Sequence, residues 1–423
     1  MTSTVLRVSL APAAKRAPAA RVACARLLDE RGASVILGAT EDPLGLACPV
    51  VPSATSMFGP RGVCAAADAS LWVSDTGHHR VLGWRQTPTS DNTPADILLG
   101  QPAFDREGRN AGGSPCAETL NVPTGIAACG PRGEGLAVAD AWNHRVLIWH
   151  QRPTQSHQRP DVVLGQIDFD GGVSNSGLAA PTASTLFWPY CVSWDGARLW
   201  VADTGNRRVL MWQGLPQHHG AAADLVLGQA DFDHRDENGG GTPSAASMRW
   251  PHAISFPGGG LCVADAGNNR LMLWHRVPAA NNQPCDLLVG QATVQTVEHN
   301  QGSYYPDAAC LNMPYGAAVA GGLLVVADTA NSRLLAWLTS ELADESTDHP
   351  TAKPTGKLMG SPINARALAA QADWNSKGDN RWLPATRDSV CWPYSVAVQG
   401  RTLLVADSGN NRVMLWPLDG AWV

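Results

Sequence analysis

The chain has 423 residues, of which 44% are hydrophobic and 16% charged. Its 31 basic and 37 acidic residues give a formal net charge of −6, and only four of the basic residues are lysine. This balance provides no basic field of the kind that attracts nucleic acid. No apolar run approaches the roughly 20 residues that a membrane-spanning helix needs, so we expect neither a nucleic-acid nor a membrane partner.

Residues 1–33 differ in composition from the rest of the chain. They are rich in alanine and in basic residues, and the first acidic residue is Asp29. Organelle transit peptides have this composition, and so do loosely ordered N-terminal arms. We favour a poorly ordered arm over residues 1–33, followed by one folded domain over residues 34–423.

The ten cysteines are scattered between Cys24 and Cys391 and include no Cys-x-x-Cys pair. The start of the chain also shows no secretory hydrophobic region. This pattern favours reduced, partly buried thiols in a cytoplasmic protein over a disulfide framework.

From residue 34 onwards one motif recurs six times. Each copy consists of an apolar run, a polar Asp-x-x-Asn-x-Arg turn with small variations, and a second apolar run that ends in tryptophan. The closing tryptophans are Trp84, Trp149, Trp212, Trp274, Trp337 and Trp416. Alternating apolar residues on both sides of a polar turn predict a β-hairpin in every copy.

A short apolar strand that ends in Leu-Gly-Gln or a weaker copy of it also occurs six times. These segments are Val35–Gly38, Ile97–Gln101, Val162–Gln166, Leu225–Gln229, Leu287–Gln291 and Leu358–Ser361. The first copy lies before the first hairpin, and the last hairpin has no copy after it. A closed ring of sheets hides its seam when the N-terminal strand completes the last sheet. We therefore predict an all-β fold, a six-bladed β-propeller of four-stranded antiparallel blades in which Val35–Gly38 completes blade six.

Two prolines with an apolar residue between them precede each hairpin. The first prolines are Pro52, Pro115, Pro181, Pro243, Pro306 and Pro384, and the apolar residues are Met57, Leu120, Leu186, Met248, Leu311 and Val390. This spacing predicts one short helical turn that plugs into the propeller. The second prolines, Pro60, Pro123, Pro189, Pro251, Pro314 and Pro393, mark the start of each inner strand.

The repeat is longer than a bare blade requires. Successive motif aspartates are 62 to 79 residues apart, whereas a propeller blade needs about 40 to 50 residues. The surplus lies in the connection from each outer strand to the next inner strand. In an antiparallel meander these connections share one face with the hairpin turns, and long loops on a rigid scaffold usually carry function.

An aspartate and an arginine recur in every hairpin turn. The pairs are Asp75 and Arg80, Asp140 and Arg145, Asp203 and Arg208, Asp265 and Arg270, Asp328 and Arg333, and Asp407 and Arg412. Because they recur in all six copies, we interpret them as structural. The carboxylate accepts turn N–H groups and pairs with the arginine, which locks the hairpin.

Functional residues are expected where equivalent positions differ. The residue after the second proline is in turn Arg61, Thr124, Tyr190, His252, Tyr315 and Tyr394, and three tryptophans precede these prolines, Trp188, Trp250 and Trp392. We predict that they form a cup of aromatic side chains with one arginine and one histidine at the mouth of the central channel. Such a cup suits a polar ligand or a peptide. The alternative is that these side chains only fill the neck of the channel.

The sixfold V-A-D-x-G-N-x-R-V-x-x-W hairpin, with inner strands of the P-x-G-V type, resembles the NHL-repeat propellers over nearly all of residues 34–416. The L-G-Q-x-x-F insertion in each unit looks like a bacterial variety of the repeat. Trp142 and Ala330 replace the turn glycine, and His78 replaces the turn asparagine; these departures bear on the uniformity of the turns. The resemblance implies protein interaction more often than catalysis, and it suggests a role in the assembly or docking of a larger enzyme.

The resemblance also raises enzymatic and RNA-binding alternatives. NHL-like propellers include a lyase that holds zinc with three inner histidines, but here the inner position offers only His252. Calcium-dependent lactonases of the wider six-bladed class gather acidic residues at the axis, and no inner strand begins with one here. RNA-reading relatives need a basic face, whereas loop residues such as Asp231, Asp233 and Glu237 are acidic.

We therefore predict a non-catalytic scaffold that holds a protein or peptide partner on the loop-thickened face and needs no metal or cofactor. The alternative is a lyase or hydrolase with a pocket at the channel mouth. In that case His252 would serve as acid or base and Arg61 would hold an anion.

Overall fold

The computed structural model describes residues 24–38, 51–343 and 363–422. In these ranges the strands form six sheets, each built on four antiparallel strands. In five of the sheets these four strands follow one another along the chain, and in the sixth the N-terminal strand supplies the fourth. The inner strands contact their neighbours in a ring that includes the last and the first of them. The protein is therefore a six-bladed β-propeller, as predicted.

We name the strands of each blade A to D from the central channel outwards. The A strands are Gly62–Ala65, Pro123–Cys129, Pro189–Trp194, Pro251–Ser255, Pro314–Ala320 and Pro393–Gln399. The B strands are Leu71–Asp75, Gly135–Asp140, Leu199–Asp203, Leu261–Asp265, Leu323–Asp328 and Thr402–Asp407. The C strands are Arg80–Trp84, Arg145–Trp149, Arg208–Trp212, Arg270–Trp274, Arg333–Leu338 and Arg412–Pro417. The D strands are Ile97–Leu99, Val162–Leu164, Leu225–Leu227, Leu287–Val289, Ala367–Ala369 and, for blade six, Val35–Leu37.

Helical segments are short. One α-helical turn spans Thr339–Leu342, and a 3₁₀ turn joins strands B and C in every blade, at Thr76–His78, Ala141–Asn143, Thr204–Asn206, Ala266–Asn268, Thr329–Asn331 and Ser408–Asn410. Further 3₁₀ turns lie in the connections after the D strands, at Arg109–Gly112, Ser174–Gly177, Glu237–Gly240, His299–Gly302 and Asp379–Trp382, and two more occur at Pro257–Gly259 and Gly420–Trp422. We call the face that carries the B–C turns and the D-to-A connections the loop face.

The N-terminal strand closes the ring. Val35–Leu37 pairs antiparallel with Val413–Leu415 of the last hairpin, which confirms the predicted seam. Its outer edge is covered by the next blade, since the Ile36 N–H donates to Asp91 Oδ1 over 2.8 Å and the Asn92 N–H donates to the Ile36 carbonyl over 2.9 Å. Covering an edge strand in this way removes the unpaired backbone groups that promote association between sheets.

An equivalent contact covers the outer edge of the D strand of blade three, which directly follows its own hairpin in the sequence. The Val226 N–H donates to Asn281 Oδ1 over 3.0 Å, and the Asn282 N–H donates to the Val226 carbonyl over 2.8 Å. Strand Val35–Leu37 therefore occupies the position of any other D strand, although most of the chain separates it from its partner.

The expected arm does not extend to residue 33. Ala25–Arg26 pairs in parallel with Ala367–Ala369, so blade five gains a fifth strand. Leu27 and Leu28 are buried in the apolar cluster between blades five and six. The apolar side chains in this basic, alanine-rich segment bind it to the propeller, so the prediction of a poorly ordered arm is wrong for residues 24–33. Residues 1–23 lie outside the described ranges.

The outer strand of blade five also differs from the prediction. The predicted segment Leu358–Ser361 lies outside the described residues, and the D strand is Ala367–Ala369. Ala370 adopts a φ of 70°, the left-handed conformation that glycine provides in the other blades. Gln371 then donates to the Ser332 carbonyl over 2.9 Å, as Gln101 donates to the His79 carbonyl over 3.2 Å. Alanine in place of glycine concealed this copy in the sequence.

The segments between the paired prolines bury their apolar residue without forming a helix. In blade three, the Thr182 N–H donates to the Thr185 hydroxyl over 2.8 Å, which makes a side-chain-capped turn in place of the predicted helical turn. The apolar plug itself is confirmed, because each anchor is at most 2% exposed: Met57, Leu120, Leu186, Met248, Leu311 and Val390.

The repeated aspartate and arginine form a fully buried pair in each blade. In blade three, Arg208 Nε lies 2.8 Å from Asp203 Oδ2, and the Phe187 N–H donates to Asp203 Oδ1 over 2.7 Å. The guanidinium also donates to the carbonyls of the preceding and following connections, those of Thr182, Thr185 and Phe232. The pair therefore fixes the hairpin to both loops beside it, which supports the structural interpretation.

The three departures from the turn motif leave its geometry intact. The Trp142 N–H donates to the Asn121 carbonyl over 3.1 Å, as the Gly205 N–H donates to Phe187 over 2.8 Å. This position does not have a positive φ, so glycine is not required there. In blade one, His78 Nδ1 contacts Asp75 Oδ2 over 2.8 Å in place of the asparagine amide.

We predict that Arg208→Ala destabilises the protein by about 3–5 kcal/mol, because it leaves the Asp203 carboxylate buried without its partner. The free energy of unfolding from urea denaturation measures the loss. Arg106→Ala is the matched control; the Arg106 side chain is 70% exposed, so its removal should change stability by no more than about 0.5 kcal/mol. Equal losses in the two variants would contradict the structural role of the pair.

Candidate functional site

Five of the six predicted mouth residues line one cavity in the central channel. Its volume is about 400 Å³, and Arg61, Tyr190, His252, Tyr315 and Tyr394 all contribute to its wall. We call these five residues the neck cluster. The sixth residue, Thr124, is fully buried and lies outside the lining of the cavity, where Gly125 stands in its blade.

The rings of the neck cluster pack on one another. His252 and Tyr315 stack with ring centroids 4.2 Å apart and planes 8° apart, and Tyr190 lies 4.2 Å from His252 on a tilted plane. Tyr394 continues the row 4.9 Å from Tyr315, and the Arg61 guanidinium lies 4.7 Å above the Tyr394 ring. These five side chains, predicted at the channel mouth, therefore pack on one another in one cluster.

The three predicted tryptophans take different positions around this cluster. Trp188 meets the rings of Tyr190 and His252 edge-on, at centroid distances of 5.9 and 6.3 Å. Trp250 offers its carbonyl to His252 Nδ1 over 2.9 Å, and its ring lies 5.1 Å from the Arg249 guanidinium. Trp392 is 46% exposed, so it belongs to the surface of the loop face.

Burial sets the charge states of the neck cluster. It lowers the pKa of His252 to about 4 and raises the pKa values of Tyr190 and Tyr315 above their usual range. The pKa of Arg61 is raised, mainly by its electrostatic interaction with Tyr190. At neutral pH Arg61 is therefore the cation of the cluster, and His252, Tyr190 and Tyr315 are neutral. The contact with the Trp250 carbonyl assigns the His252 proton to Nδ1.

The rest of the cavity wall is built mainly from small side chains, with Ser193, Ser255 and Ser395 among them. Alanines of several A strands line it, among them Ala65, Ala127, Ala317 and Ala397, with Ile126, Val192, Ile254 and Val396 between them. Wall residues such as Ala127, Ala317 and Ala397 are partly exposed, whereas Tyr190 and His252 at the loop-face end are 3% and 4% exposed.

In the described ranges, no three His, Cys, Asp or Glu side chains converge as the ligands of a metal ion do. The nine cysteines of those ranges are free thiols. Over the same part of the chain, no helix combines the length and hydropathy needed to cross a bilayer.

A second feature lies on the loop face, and of its residues only Trp392 was among the binding residues named from the sequence. Large apolar side chains are exposed there, in D-to-A connections and in one hairpin turn: Val51, Phe58, Trp142, Ile167, Val173, Leu178, Tyr304, Tyr305, Trp382, Leu383 and Trp392. They stand singly or in pairs in polar, glycine-rich loops, so no periodicity marks them in the sequence. Only their exposure in the folded structure identifies them.

The largest group of these residues spans the two connections that flank blade five. Tyr304 and Tyr305 are 68% and 50% exposed, and Trp382 is 74% exposed. Lys377 joins the two loops, since its ammonium lies 3.7 Å from the centre of the Tyr304 ring. The Asn375 amide also donates to the Pro306 carbonyl over 2.8 Å. We call Tyr304, Tyr305, Lys377, Trp382 and Leu383 the aromatic patch.

No family model matches the chain, and no curated protein is similar to it in sequence. Among solved structures, the chain is similar to hydrazine synthase from Kuenenia stuttgartiensis at 13% identity, over 86% of this chain and 96% of that one, with a TM-score of 0.47. A structural genomics protein of unknown function from Bacteroides thetaiotaomicron matches at 12% identity over 93% and 76%, with a TM-score of 0.49. Streptogramin B lyase matches at 8% identity over 88% and 97%, with a TM-score of 0.42. Similarity at this level carries no argument about ligand or activity.

We predict that His252 makes the protein less stable in acid. Its folded pKa of about 4 lies below the value of about 6.5 for an exposed histidine, so the unfolded chain binds the proton first as pH falls. The contribution of His252 to the free energy of unfolding is therefore complete above pH 6.5, and it is lost as the pH falls towards 4. At about 1.4 kcal/mol for each pKa unit, the loss approaches about 3 kcal/mol.

Urea denaturation at pH 7 and pH 4 measures this effect. His252→Phe keeps a ring in the stack and removes the titrating group, so it should lose less stability between the two pH values than the wild-type protein. His218→Phe, at an exposed position, is the control and should behave as wild type. A His252→Phe variant with the full wild-type pH dependence would overturn the assignment.

Proposed function

We propose that the chain is an NHL-type propeller of the cytoplasm whose loop face binds a protein or peptide partner. The observation that carries the proposal is the set of large apolar side chains exposed on that face. Isolated exposed apolar residues are ordinary, but a contiguous group of them marks an interaction surface. The aromatic patch supports such a surface. Lys377 packs on the Tyr304 ring across two loops, and Tyr304 contacts Tyr305. Trp382 lies against Gly378, the neighbour of Lys377.

The composition of the patch suits a protein partner. Tyrosine and tryptophan are the residues that contribute most to protein–protein binding, particularly where they are surrounded by polar groups. Tyr304, Tyr305 and Trp382 provide such side chains, and Lys377 holds the Tyr304 ring by a cation–π contact.

The loops that present these residues are held in place before a partner binds. Arg333 of blade five donates to the Asp307 and Cys310 carbonyls of the connection that contains Tyr304, and to the Trp374 carbonyl of the connection that contains Trp382. A preorganised surface loses less conformational entropy on binding. This geometry supports a scaffold role, and we retain a larger enzyme in assembly as the kind of partner to expect.

The enzymatic alternative has one observation in its favour, because Arg61 and His252 line the same cavity. The environment of His252 weighs against it. General acid–base catalysis works best when the pKa of the catalytic group is near the operating pH, and burial holds the pKa of His252 at about 4. We therefore rank a lyase or hydrolase activity second.

The proposal is tested by affinity capture with the full chain from a lysate of its own organism, followed by binding measurements with the identified partner in purified form. We predict that Tyr304→Ser combined with Trp382→Ser weakens binding at least about tenfold, because each side chain would lose an aromatic contact of the kind worth more than 1 kcal/mol.

His218→Ser is the matched control, since His218 is exposed in a C–D connection on the opposite face. It should bind as wild type. Partner binding that survives the double substitution but is lost with His218→Ser would place the interface on the wrong face and contradict the proposal.

A further inference from the structure

Arg61 is the one charged side chain that lines the channel cavity, among the described residues. Arg61 directly follows Pro60, the second of the paired prolines of blade one. The equivalent residue in the other blades is tyrosine, histidine or threonine, so no other blade has an arginine or lysine at this position. The groups that act on its charge are the hydroxyls of Tyr190, Tyr394 and Tyr315. Burial raises the pKa values of Tyr190 and Tyr315, so these two hydroxyls are neutral at physiological pH.

This arginine differs from the arginines of the repeat. Arg208 and its equivalents are buried, and each has an aspartate carboxylate within 3.0 Å. Arg61 is partly buried, but the described part of the chain places no carboxylate in an ion pair with it. A cation removed from water without a counter-ion is costly for the folded state. An anion in the cavity would offset that cost.

A second observation concerns Tyr190. Its hydroxyl oxygen interacts with the Arg61 guanidinium, which can only donate, so its O–H group has no acceptor within hydrogen-bond geometry. The residue is 3% exposed and lines the same cavity. Buried polar groups are almost always hydrogen-bonded in folded proteins. The Tyr190 O–H group could donate a hydrogen bond to an acceptor atom of a bound molecule.

The remaining wall defines the other part of the ligand. Valine, isoleucine and alanine make up half of the lining residues, three serines lie among them, and no aspartate, glutamate or lysine is found in the described lining. The volume of about 400 Å³ falls in the range of small-molecule sites, about 300–1,000 Å³. The site thus combines a single cation, hydroxyl donors at one end and a channel beyond whose wall is largely aliphatic.

We propose that this cavity binds a small organic monocarboxylate. The carboxylate lies against the Arg61 guanidinium and accepts a hydrogen bond from the Tyr190 hydroxyl, and the apolar part of the ligand lies along the aliphatic wall. A guanidinium matches a carboxylate through two parallel hydrogen bonds. One cation neutralises one negative charge, which favours a monocarboxylate over a phosphate dianion. This site is separate from the loop-face interface and does not depend on it.

The experiment titrates the full-length protein with acetate, butyrate, benzoate and phenylacetate, using isothermal calorimetry and the shift in melting temperature. Benzamide serves as the neutral counterpart of benzoate, and inorganic phosphate serves as the small anion without an apolar part. At least one of the apolar carboxylates is expected to bind, with at least about tenfold lower affinity for benzamide and for phosphate.

Three variants locate the site. Arg61→Gln should lower affinity for the bound carboxylate at least about tenfold, and Arg61→Lys should lower it less because the charge is retained. Tyr190→Phe keeps the stacked ring and should lower affinity several-fold with an unchanged or higher melting temperature, since it removes an unpaired buried hydroxyl. Arg106→Gln, at an exposed arginine, is the control and should bind as wild type.

The proposal is overturned if no carboxylate of the panel binds the wild-type protein, or if one binds Arg61→Gln as tightly as wild type. Equal affinity for benzoate and benzamide would also overturn it, because binding would then not depend on the charge. If Arg61→Gln does not fold, the ratio of benzoate to benzamide affinity in Arg61→Lys and Tyr190→Phe decides the question.

Discussion

A ring of sheets has no free end only if its first strand completes its last sheet, and this constraint governs the whole molecule. Strand Val35–Leu37 meets it by pairing with Val413–Leu415, and blade one covers its outer edge through Asp91 and Asn92. Unpaired strand edges are sites of aggregation, so closure removes a hazard as well as fixing the shape. The channel exists because six inner strands contact each other around one axis.

The buried aspartate–arginine pairs hold the loops in fixed positions on this ring. Each guanidinium bonds to carbonyls of connections beside its hairpin, as Arg333 does with Cys310 and Trp374. The loop face is consequently a fixed surface, on which the aromatic patch is displayed. The same ring positions Arg61, Tyr190 and His252 around the channel. The two candidate binding features therefore depend on one scaffold, but they lie in different places and have different chemistry.

Features that recur in all six blades were predictable from the sequence, and features found in a single blade were not. Six copies of one hairpin fixed the blade number, and the displaced segment at Val35 revealed the seam. The outer strand of blade five was missed because Ala370 takes the conformation that glycine marks elsewhere, and Leu27 and Leu28 gave no periodic signal before the structure showed them buried. The neck residues were found by comparing equivalent positions, but their stacking and the exposure of Trp382 depend on packing between blades.

Hydrogen exchange at the seam tests the account most directly. Deuterium uptake of a peptide that covers Val35–Leu37 is to be compared with uptake of Leu225–Leu227, an outer strand that follows its own hairpin. Ring closure predicts similar slow exchange in both strands, because both open only when a blade opens. Exchange of Val35–Leu37 at the rate of an exposed loop such as residues 233–236, with Leu225–Leu227 still protected, would contradict closure by the N-terminal strand.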